Sequence, residues 1–103
     1  MFIVAFFEIS FSERYSKMAY LHSHEYYELY FQFTGKRSYF CNNKHYILDK
    51  NSFVTTKPNT LHKFESDEIF QRILISASPE LFSPLQIEFL NYLDEKIIAF
   101  KFV

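Results

Sequence analysis

Several residue types are scarce in this chain, and each scarcity excludes a class of protein. Cys41 is the only cysteine, so no internal disulfide can form and the chain is not a small secreted domain held together by disulfides. The 11 basic residues are balanced by 12 acidic residues, which argues against direct binding of nucleic-acid phosphates by this chain. No stretch approaches the ~20 consecutive apolar residues of a membrane helix. We therefore expect a soluble cytoplasmic protein with no membrane partner.

Aromatic residues are abundant, whereas glycine is almost absent. Aromatics make up 21% and hydrophobic residues 49% of the chain, which is typical of a folded protein rather than a disordered one. Its 103 residues suit a single domain, to which we assign residues 1–103. Since Gly35 is the only glycine, asparagine and aspartate must serve at the tight turns.

The apolar pattern is mostly that of β-strands. Asn42 and Asn43 separate two strand-like segments and tolerate the left-handed conformation that a two-residue hairpin turn needs. Pro58 and Asn59 mark another turn. Strands are predicted over residues 2–7, 26–33, 37–41, 44–48, 53–57, 61–65, 69–76 and 97–103. About eight short strands separated by turns predict a closed barrel or a sandwich.

One segment near the C-terminal end carries helical signals instead. Two serines each precede a proline, which is typical of a helix start: Ser78 and Ser83. Gln86 follows the second serine by three residues, as in a capping box. A helix over residues 84–94 would carry an apolar stripe on one side, formed by Leu85, Phe89 and Leu93. The expected fold is therefore mainly β with one short helix.

A group of polar residues has the composition of a metal or ligand site. His22 and His24 are two residues apart, so on a strand their side chains would face the same way. Glu28 would lie about 13 Å from His24 on an extended strand, so the two can share a metal only if the chain turns between residues 25 and 27. Together with His62, these residues would make a plausible set of ligands for zinc, iron or manganese.

The residues themselves leave three interpretations of this group open: a catalytic metal, a polar pocket whose members hydrogen-bond to one another, or surface histidines without a role. Tyr39 is a candidate pocket residue, as are Cys41, Tyr46 and Phe64, although aromatic residues in a small barrel are commonly core. Arg72 lies on the apolar face of its strand and needs a partner there, either a protein carboxylate or an acidic ligand. Cys41 lacks an activating pattern and is interpreted as a packing residue.

The spacing of the polar residues resembles the two motifs of the cupin family. The segment HSHEYYELYFQFTG, residues 22–35, matches the first motif from its first histidine on, although Ser16 stands where the motif has a glycine. The segment PNTLH, residues 58–62, resembles the second motif shortened by one residue. Serine or threonine replaces its glycines and its terminal asparagine at Ser52, Thr60 and Ser66. Such departures are commoner in regulatory than in catalytic cupins, so we predict that no metal is needed for folding or function.

A longer stretch is similar to a narrower family. The run HSHEYYELYFQFTGKRSYFCNNKHYILDKNSFVTTKPNTLHKF, followed by IFQRILISASPELF, resembles the N-terminal sensor domain of AraC/XylS-type transcription regulators over about residues 15–95. Both have, in the same order, a histidine-bearing strand, a strand containing Glu-Leu, a hairpin, a P-x-x-x-H segment and an E-R-I-like strand. Gln71 replaces the acidic residue of the last strand. The family's C-terminal DNA-binding half, with its helix-turn-helix units, has no counterpart in this sequence.

The resemblance implies a cupin-like double-stranded β-helix, or jelly-roll barrel, with a short C-terminal helix. It implies an effector-sensing and dimerisation domain that is not an enzyme and that would reach DNA only through a domain missing here. A small organic effector would contact residues at the mouth and wall of the barrel: His22, His24, Glu28, His62, Tyr39 and Arg72.

Two other functions remain open. A small metal-dependent isomerase or dioxygenase would use a divalent transition metal bound by His22, His24, Glu28 and His62. An orphan barrel would serve only for assembly. The apolar chain ends, residues 2–7 and 97–103, together with the stripe of Leu85, Phe89 and Leu93, favour a homodimer, because such strands are sticky edges unless another surface covers them.

Overall fold

The computed structural model describes residues 6–14, 23–66, 68–96 and 100–101. Within these residues the chain forms eight strands, a single-turn 3₁₀ helix and one α-helix. The strands are β1 (Phe7–Arg14), β2 (Tyr27–Thr34), β3 (Arg37–Cys41), β4 (Lys44–Leu48), β5 (Ser52–Thr56), β6 (His62–Glu65), β7 (Phe70–Ala77) and β8 (Phe100–Lys101); the 3₁₀ helix is Pro79–Leu81 and the α-helix is α1 (Pro84–Lys96). The predicted mainly β fold is confirmed.

Two antiparallel sheets enclose one core. The larger sheet has the strand order β1-β7-β2-β5-β8, and the smaller sheet has the order β4-β3-β6. Alternate residues along most of β2 and along β3 are buried between the sheets, since successive side chains of a strand lie on opposite faces. The buried core is formed by residues of both sheets: Tyr30, Tyr39, Cys41, Leu48, Val54 and Phe64. Burial of these side chains supplies the main driving force for joining the sheets.

The tight turns depend on asparagine, as the scarcity of glycine predicts. Asn42 and Asn43 have φ of 51° and 62° and form the two-residue turn between β3 and β4. Asn51 and Asn59 have φ of 59° and 62° in the turns on either side of β5. Asparagine tolerates this left-handed region better than most other residues do.

The single glycine occupies a position that no other residue fits. Gly35 has φ of 85° between β2 and β3. A Cβ at Gly35 would lie 2.5 Å from the carbonyl oxygen of Ile69 and 2.8 Å from Cα of Phe70. Both contacts are with backbone, so a side chain here would force the β2–β3 turn away from β7.

Most predicted strand boundaries are right to within one residue, and the exception is at the start of the chain. A strand was expected over residues 2–7, but β1 begins at Phe7 and runs to Arg14, and residues 2–5 lie outside the described part. Residues 2–5 of that prediction therefore stay untested. The strand β1 itself was missed because it alternates apolar and polar residues, FEISFSER; it pairs with β7 along its whole length. Of the strand predicted over residues 97–103, the structure describes residues 100 and 101, which pair with β5.

The helix begins where the sequence predicts it. The Ser83 backbone N–H donates to Gln86 Oε1 at 2.8 Å, and the Gln86 backbone N–H donates to Ser83 Oγ at 3.3 Å, which is the predicted capping box. The helix continues to Lys96, two residues beyond the expected end. At Ser78 only a 3₁₀ turn forms, because the Ser78 hydroxyl accepts the Phe6 N–H at 2.7 Å instead of capping a helix.

The helix packs on the barrel with a face that the sequence did not indicate. Leu85 and Phe89, two members of the predicted stripe, are 75% and 59% exposed, whereas Leu90 and Asp94 are buried. Asp94 Oδ1 accepts the backbone N–H of Lys57 at 3.0 Å, which ties the helix to the end of β5. These two residues of the predicted stripe therefore face solvent, whereas Leu93 is partly buried. No helix within the described residues has the length and apolar character that a membrane span requires.

Candidate functional site

Three of the predicted polar residues meet at one end of the barrel, which we call the mouth. His24 Nε2 lies 3.2 Å from Glu28 Oε1, and His62 Nε2 lies 3.1 Å from the same oxygen. The chain bends at residues 25 and 26 before β2 begins, so the predicted turn between His24 and Glu28 is confirmed. We call these three residues the His–Glu cluster. His22, the fourth predicted member, lies outside the described residues.

The three residues of the cluster differ in their exposure to solvent. His62 is 1% exposed and Glu28 is 6% exposed, so both are effectively buried. The His24 side chain keeps 30% of its exposure and stacks against Tyr26 with a centroid distance of 4.8 Å. A molecule arriving from solvent would therefore meet His24 first and the buried pair behind it.

The loop between β5 and β6 holds both histidines in place through its main chain. The Asn59 backbone N–H donates to the His24 carbonyl oxygen at 2.6 Å. His62 Nδ1 lies 2.7 Å from the Thr60 carbonyl oxygen. A carbonyl oxygen can only accept, so Nδ1 of His62 carries a proton. The first bond holds the main chain at His24, and the second orients the His62 ring toward Glu28.

His62 Nε2 and Glu28 Oε1 are close enough to share a proton. With Nδ1 protonated, a neutral His62 ring would present a lone pair on Nε2 to the carboxylate oxygen 3.1 Å away. The contact is favourable only when a proton lies between the two atoms. Burial lowers the pKa of His62, but hydrogen bonds to Glu28 and to the Thr60 carbonyl, with the charges of Glu28 and Asp94, outweigh burial and raise the pKa above its ordinary value.

The same three residues also fit a divalent metal. One ligand atom from each of His24, Glu28 and His62 lies within 4.8 Å of the others. The contacts of 3.1 and 3.2 Å match the spacing of neighbouring ligands around an ion with bonds of ~2.0–2.2 Å. The Thr60 carbonyl fixes the His62 tautomer whose Nε2 can coordinate a metal, as outer partners of metal-binding histidines do. The cluster is therefore able to hold either a shared proton or a metal ion.

Tyr39 lies behind the cluster and belongs to the core. Its ring centroid is 6.3 Å from that of His62, and its hydroxyl hydrogen-bonds to Thr56 Oγ1. Burial, with a smaller contribution from Cys41, raises the pKa of Tyr39 far above its ordinary value, so the hydroxyl stays neutral. Burial also raises the pKa of the Cys41 thiol, which agrees with its interpretation as a packing residue.

Arg72 lies away from the cluster. In the pairing of β2 with β7, Ser76 is opposite Glu28 and Arg72 is opposite Gln32, four residues or about 13 Å further along the strand. Arg72 Nη1 donates to the Ser10 carbonyl oxygen at 3.1 Å and to Ser10 Oγ at 2.9 Å. The predicted carboxylate or ligand partner of Arg72 stays a prediction.

Sequence reasoning missed a second buried charge at the opposite end of the barrel. Arg37 is 5% exposed, and its Nη1 donates to the Tyr30 hydroxyl at 3.1 Å. Its guanidinium carbon lies 4.1 Å from the centroid of the Phe70 ring and 4.9 Å from that of Phe64. The available signal was the alternation of Arg37 with the core residues Tyr39 and Cys41 along β3.

The two-sheet barrel is the cupin fold. It is similar to the crystal structure of a cupin protein from Bacteroides fragilis, with 15% identity, a TM-score of 0.62 and coverage of 80% of this chain and 72% of that chain. It is similar to a cupin superfamily protein from Desulfitobacterium hafniense, with 11% identity, a TM-score of 0.64 and coverage of 73% and 76%. The predicted cupin-like barrel with a C-terminal helix is thus confirmed.

The family is defined by the sequence as a whole. The family model for the AraC-like ligand binding domain matches residues 5–90, and the chain belongs to that family. The structure of ToxT from Vibrio cholerae is also similar, with 18% identity and a TM-score of 0.56. That match covers 84% of this chain but 36% of ToxT, so the similarity is confined to part of that protein. No curated protein sequence is significantly similar to the chain.

Proposed function

We propose that this domain senses a small organic effector as part of a transcription regulator and that it is not an enzyme. Membership of the AraC-like ligand-binding family supports a ligand-binding role. The fold similarity to ToxT, an AraC-family regulator, supports a regulatory one. Contact with DNA would be made by a DNA-binding domain and not by this chain, whose acidic and basic residues nearly balance.

The observation that carries the proposal is the convergence of His24, Glu28 and His62 at the mouth. A carboxylate and two imidazoles can accept or donate hydrogen bonds, so they can orient hydroxyl, carbonyl or carboxyl groups of an effector. The partly exposed His24 would make the first contact, and the Glu28–His62 proton would move as the effector's hydrogen bonds replace it. His22, Tyr39 and Arg72 stay in the proposal as further candidate contacts.

A thermal-shift screen of neutral sugars and organic acids tests this function, because a ligand that binds only the folded state raises its stability. We expect one or more compounds to raise the melting temperature of the wild-type chain in a concentration-dependent manner. The effect should be lost in Glu28→Gln, which keeps the size of the side chain. It should persist in Glu65→Gln, which makes the same change at a half-exposed position of β6. If no stabiliser lost its effect in Glu28→Gln, binding at the His–Glu cluster would be contradicted.

A second candidate function is a small metal-dependent enzyme, and the ligand geometry of the His–Glu cluster favours it. Zinc, iron or manganese bound by His24, Glu28 and His62 would leave open positions for a substrate. Elemental analysis of the purified chain separates the two functions. We expect substoichiometric metal. A stoichiometric metal that is lost in His24→Ala but retained in His45→Ala, an exposed histidine on β4, would favour the enzyme.

We also propose that the chain forms a homodimer. Two apolar surfaces support this: Phe7, Ile9 and Phe11 on the outer face of β1 are 58–59% exposed, and Leu85, Phe89 and Tyr92 on α1 are 53–75% exposed. Clusters of exposed apolar side chains commonly mark interaction surfaces. Light scattering over a tenfold concentration range should give the mass of a dimer. Phe89→Glu and Phe11→Glu, tested separately, would show which surface is used, and a monomer mass throughout would contradict the proposal.

A further inference from the structure

A cavity opens beside the mouth, and His24, Glu28 and His62 do not line it. It has a volume of about 780 Å³ and is lined by residues 40–45, residues 57–61 and Lys63. These residues belong to the β3–β4 hairpin, the β5–β6 loop and the start of β6. We call this cavity the lysine groove. Its size is within the range of ~300–1,000 Å³ that is typical of small-molecule sites.

The charge of the groove has one sign. Three lysines line it, Lys44, Lys57 and Lys63, and its lining within the described part of the chain contains no aspartate or glutamate. Two carboxylates outside the lining offset part of this charge, since Glu65 Oε1 lies 3.2 Å from Lys63 Nζ and Asp94 Oδ2 lies 3.9 Å from Lys57 Nζ. A concave surface with several charges of one sign focuses its field on the enclosed space. The groove is therefore suited to an anion.

The walls of the groove add apolar contacts. Phe40, Pro58 and Leu61 line it, and Leu61 is 57% exposed. Lys63 Nζ lies 4.9 Å from the centroid of the Phe40 ring, so charge and apolar surface are adjacent. An inorganic ion would leave these walls in water, whereas an organic anion would cover them. We propose that the lysine groove binds a small organic anion, a carboxylate or a phosphate ester with an apolar body.

The β5–β6 loop connects the groove to the His–Glu cluster. Asn59 and Thr60 line the groove, and the same residues hold the histidines through the Asn59 N–H to the His24 carbonyl and the Thr60 carbonyl to His62 Nδ1. An anion that displaces this loop changes the hydrogen bond to His62. The groove thus communicates with the cluster whether or not the domain regulates transcription.

Binding is tested on the full 103-residue chain with three probes: 3-phenylpropionate, its neutral amide and phenyl phosphate. Titration calorimetry at low salt should show saturable binding of at least one of the two anions and at least tenfold weaker binding of the amide. Raising the salt to 0.5 M should weaken anion binding severalfold, because salt screens exposed charges. The tighter of the two anions identifies the preferred head group. Equal affinity for the acid and its amide, or no saturable binding, would overturn the proposal.

Lysine substitutions locate the site. The double variant Lys44→Gln, Lys63→Gln should weaken anion binding by about tenfold or more, since each lost charge removes an attraction of the order expected for a surface pair. The matched control Lys36→Gln changes an exposed lysine outside the groove and should bind as the wild type does. Unchanged melting temperatures would show that both variants fold. Wild-type affinity in the double variant would overturn the assignment.

Coupling to the cluster has its own readout. In NMR spectra of the histidine rings, a saturating anion should shift the His62 signals. The same shift should appear in His45→Gln protein, which shows that it does not come from His45 in the groove. Glu28→Gln should retain saturable anion binding, because Glu28 does not line the groove. Anion binding that is retained in Glu28→Gln would show that the groove is a different site from the one proposed for the effector at the cluster. Anion binding that leaves the His62 signals unmoved would overturn the coupling.

Discussion

Opposite ends of the barrel bury the charged side chains of Glu28 and Arg37, and the two charges are neutralised differently. At the mouth, the Glu28 carboxylate faces the imidazole rings of His24 and His62. At the opposite end, the Arg37 guanidinium lies against the Phe64 and Phe70 rings and donates to the Tyr30 hydroxyl.

The difference separates a permanent structural charge from an adjustable one. The partners of Arg37 are aromatic rings and a hydroxyl whose pKa is raised by burial, so they do not change their charge near neutral pH. At the mouth, hydrogen bonds to Glu28 and to the Thr60 carbonyl raise the pKa of His62 against the opposing effect of burial, so the charge of His62 changes with pH, and His24 is partly open to solvent. The Arg37 end is therefore suited to hold the sheets together, and the Glu28 end is suited to respond to its surroundings.

The largest effect is expected from Gly35→Ala at the Arg37 end. The substitution places a Cβ against the Ile69 carbonyl oxygen and imposes a left-handed φ on alanine. Gly35 also accepts a hydrogen bond from Gln32 Nε2 at 2.8 Å, which the displaced turn would break. We expect a loss of roughly 3 kcal/mol or more in the free energy of unfolding, measured with urea. Lys36→Ala, at the adjacent exposed position, should change it by less than about 0.5 kcal/mol. A mild effect of Gly35→Ala would mean that this end is not rigid.

The next largest effect is expected from Arg37→Met, which keeps an apolar stem but removes the charge. The lost ring contacts and the lost hydrogen bond to Tyr30 should destabilise the chain by about 2–4 kcal/mol. The loss should be the same at pH 6 and pH 8, because the contacts of Arg37 do not titrate in that range. Urea unfolding at both pH values is the measurement, with Lys36→Met as the control. A loss that depends strongly on pH would remove the distinction between the two ends.

At the mouth, in contrast to Arg37→Met, the stability lost in Glu28→Gln should depend on pH. In the wild type the raised pKa of His62 contributes stability that is fully present below about pH 6.5 and is lost as the pH rises through the folded-state value. Glu28→Gln should cost about 1–3 kcal/mol at pH 6 and less at higher pH. Urea unfolding between pH 6 and pH 9 in the presence of a chelator measures how the free energy of unfolding changes with pH in the wild type and in Glu28→Gln. Glu65→Gln should keep the wild-type slope, and an unchanged slope in Glu28→Gln would show that the shared proton does not contribute.

The smallest effect is expected from Tyr39→Phe, which probes the core just behind the mouth. The change removes the hydrogen bond to the buried Thr56 hydroxyl and should destabilise the chain by about 1 kcal/mol. Because burial raises the pKa of Tyr39, the loss should not vary between pH 6 and pH 9. Tyr92→Phe, at an exposed position of α1, is the matched control. A loss above about 3 kcal/mol would assign Tyr39 a larger role in holding the mouth.

Local chemistry was sufficient to predict much of the fold. The β3–β4 hairpin was predicted because Asn42 and Asn43 specify its turn, and the start of α1 was predicted because Ser83 and Gln86 cap it. The extent of β1 was not predicted, because its apolar residues Phe7, Ile9 and Phe11 lie on the exposed face and do not indicate which side packs on the core. The buried face of α1 was missed for a related reason, since Asp94 is buried through a main-chain contact at Lys57.

The candidate site was predictable in its side chains but not in its supports. Residue type and spacing brought forward His24, Glu28 and His62, and the expected turn before Tyr27 is present. The contributions of Asn59 and Thr60 come from backbone atoms, which every residue has, so no residue type indicates them. The lysine groove joins two distant turns of the chain, and only the folded arrangement of the strands places them side by side.

The use of asparagine at the turns also limits the chemical lifetime of the chain. Asparagine is among the thermolabile residues, and its side-chain amide hydrolyses slowly to a carboxylate. Aspartate also tolerates the left-handed region, so such a change at Asn42, Asn51 or Asn59 would preserve the turn while adding one negative charge. At Asn42 or Asn59 the new charge would appear in the lysine groove. Stored protein would therefore separate into more acidic forms on an ion-exchange column before it lost its fold, and those forms should bind anions more weakly.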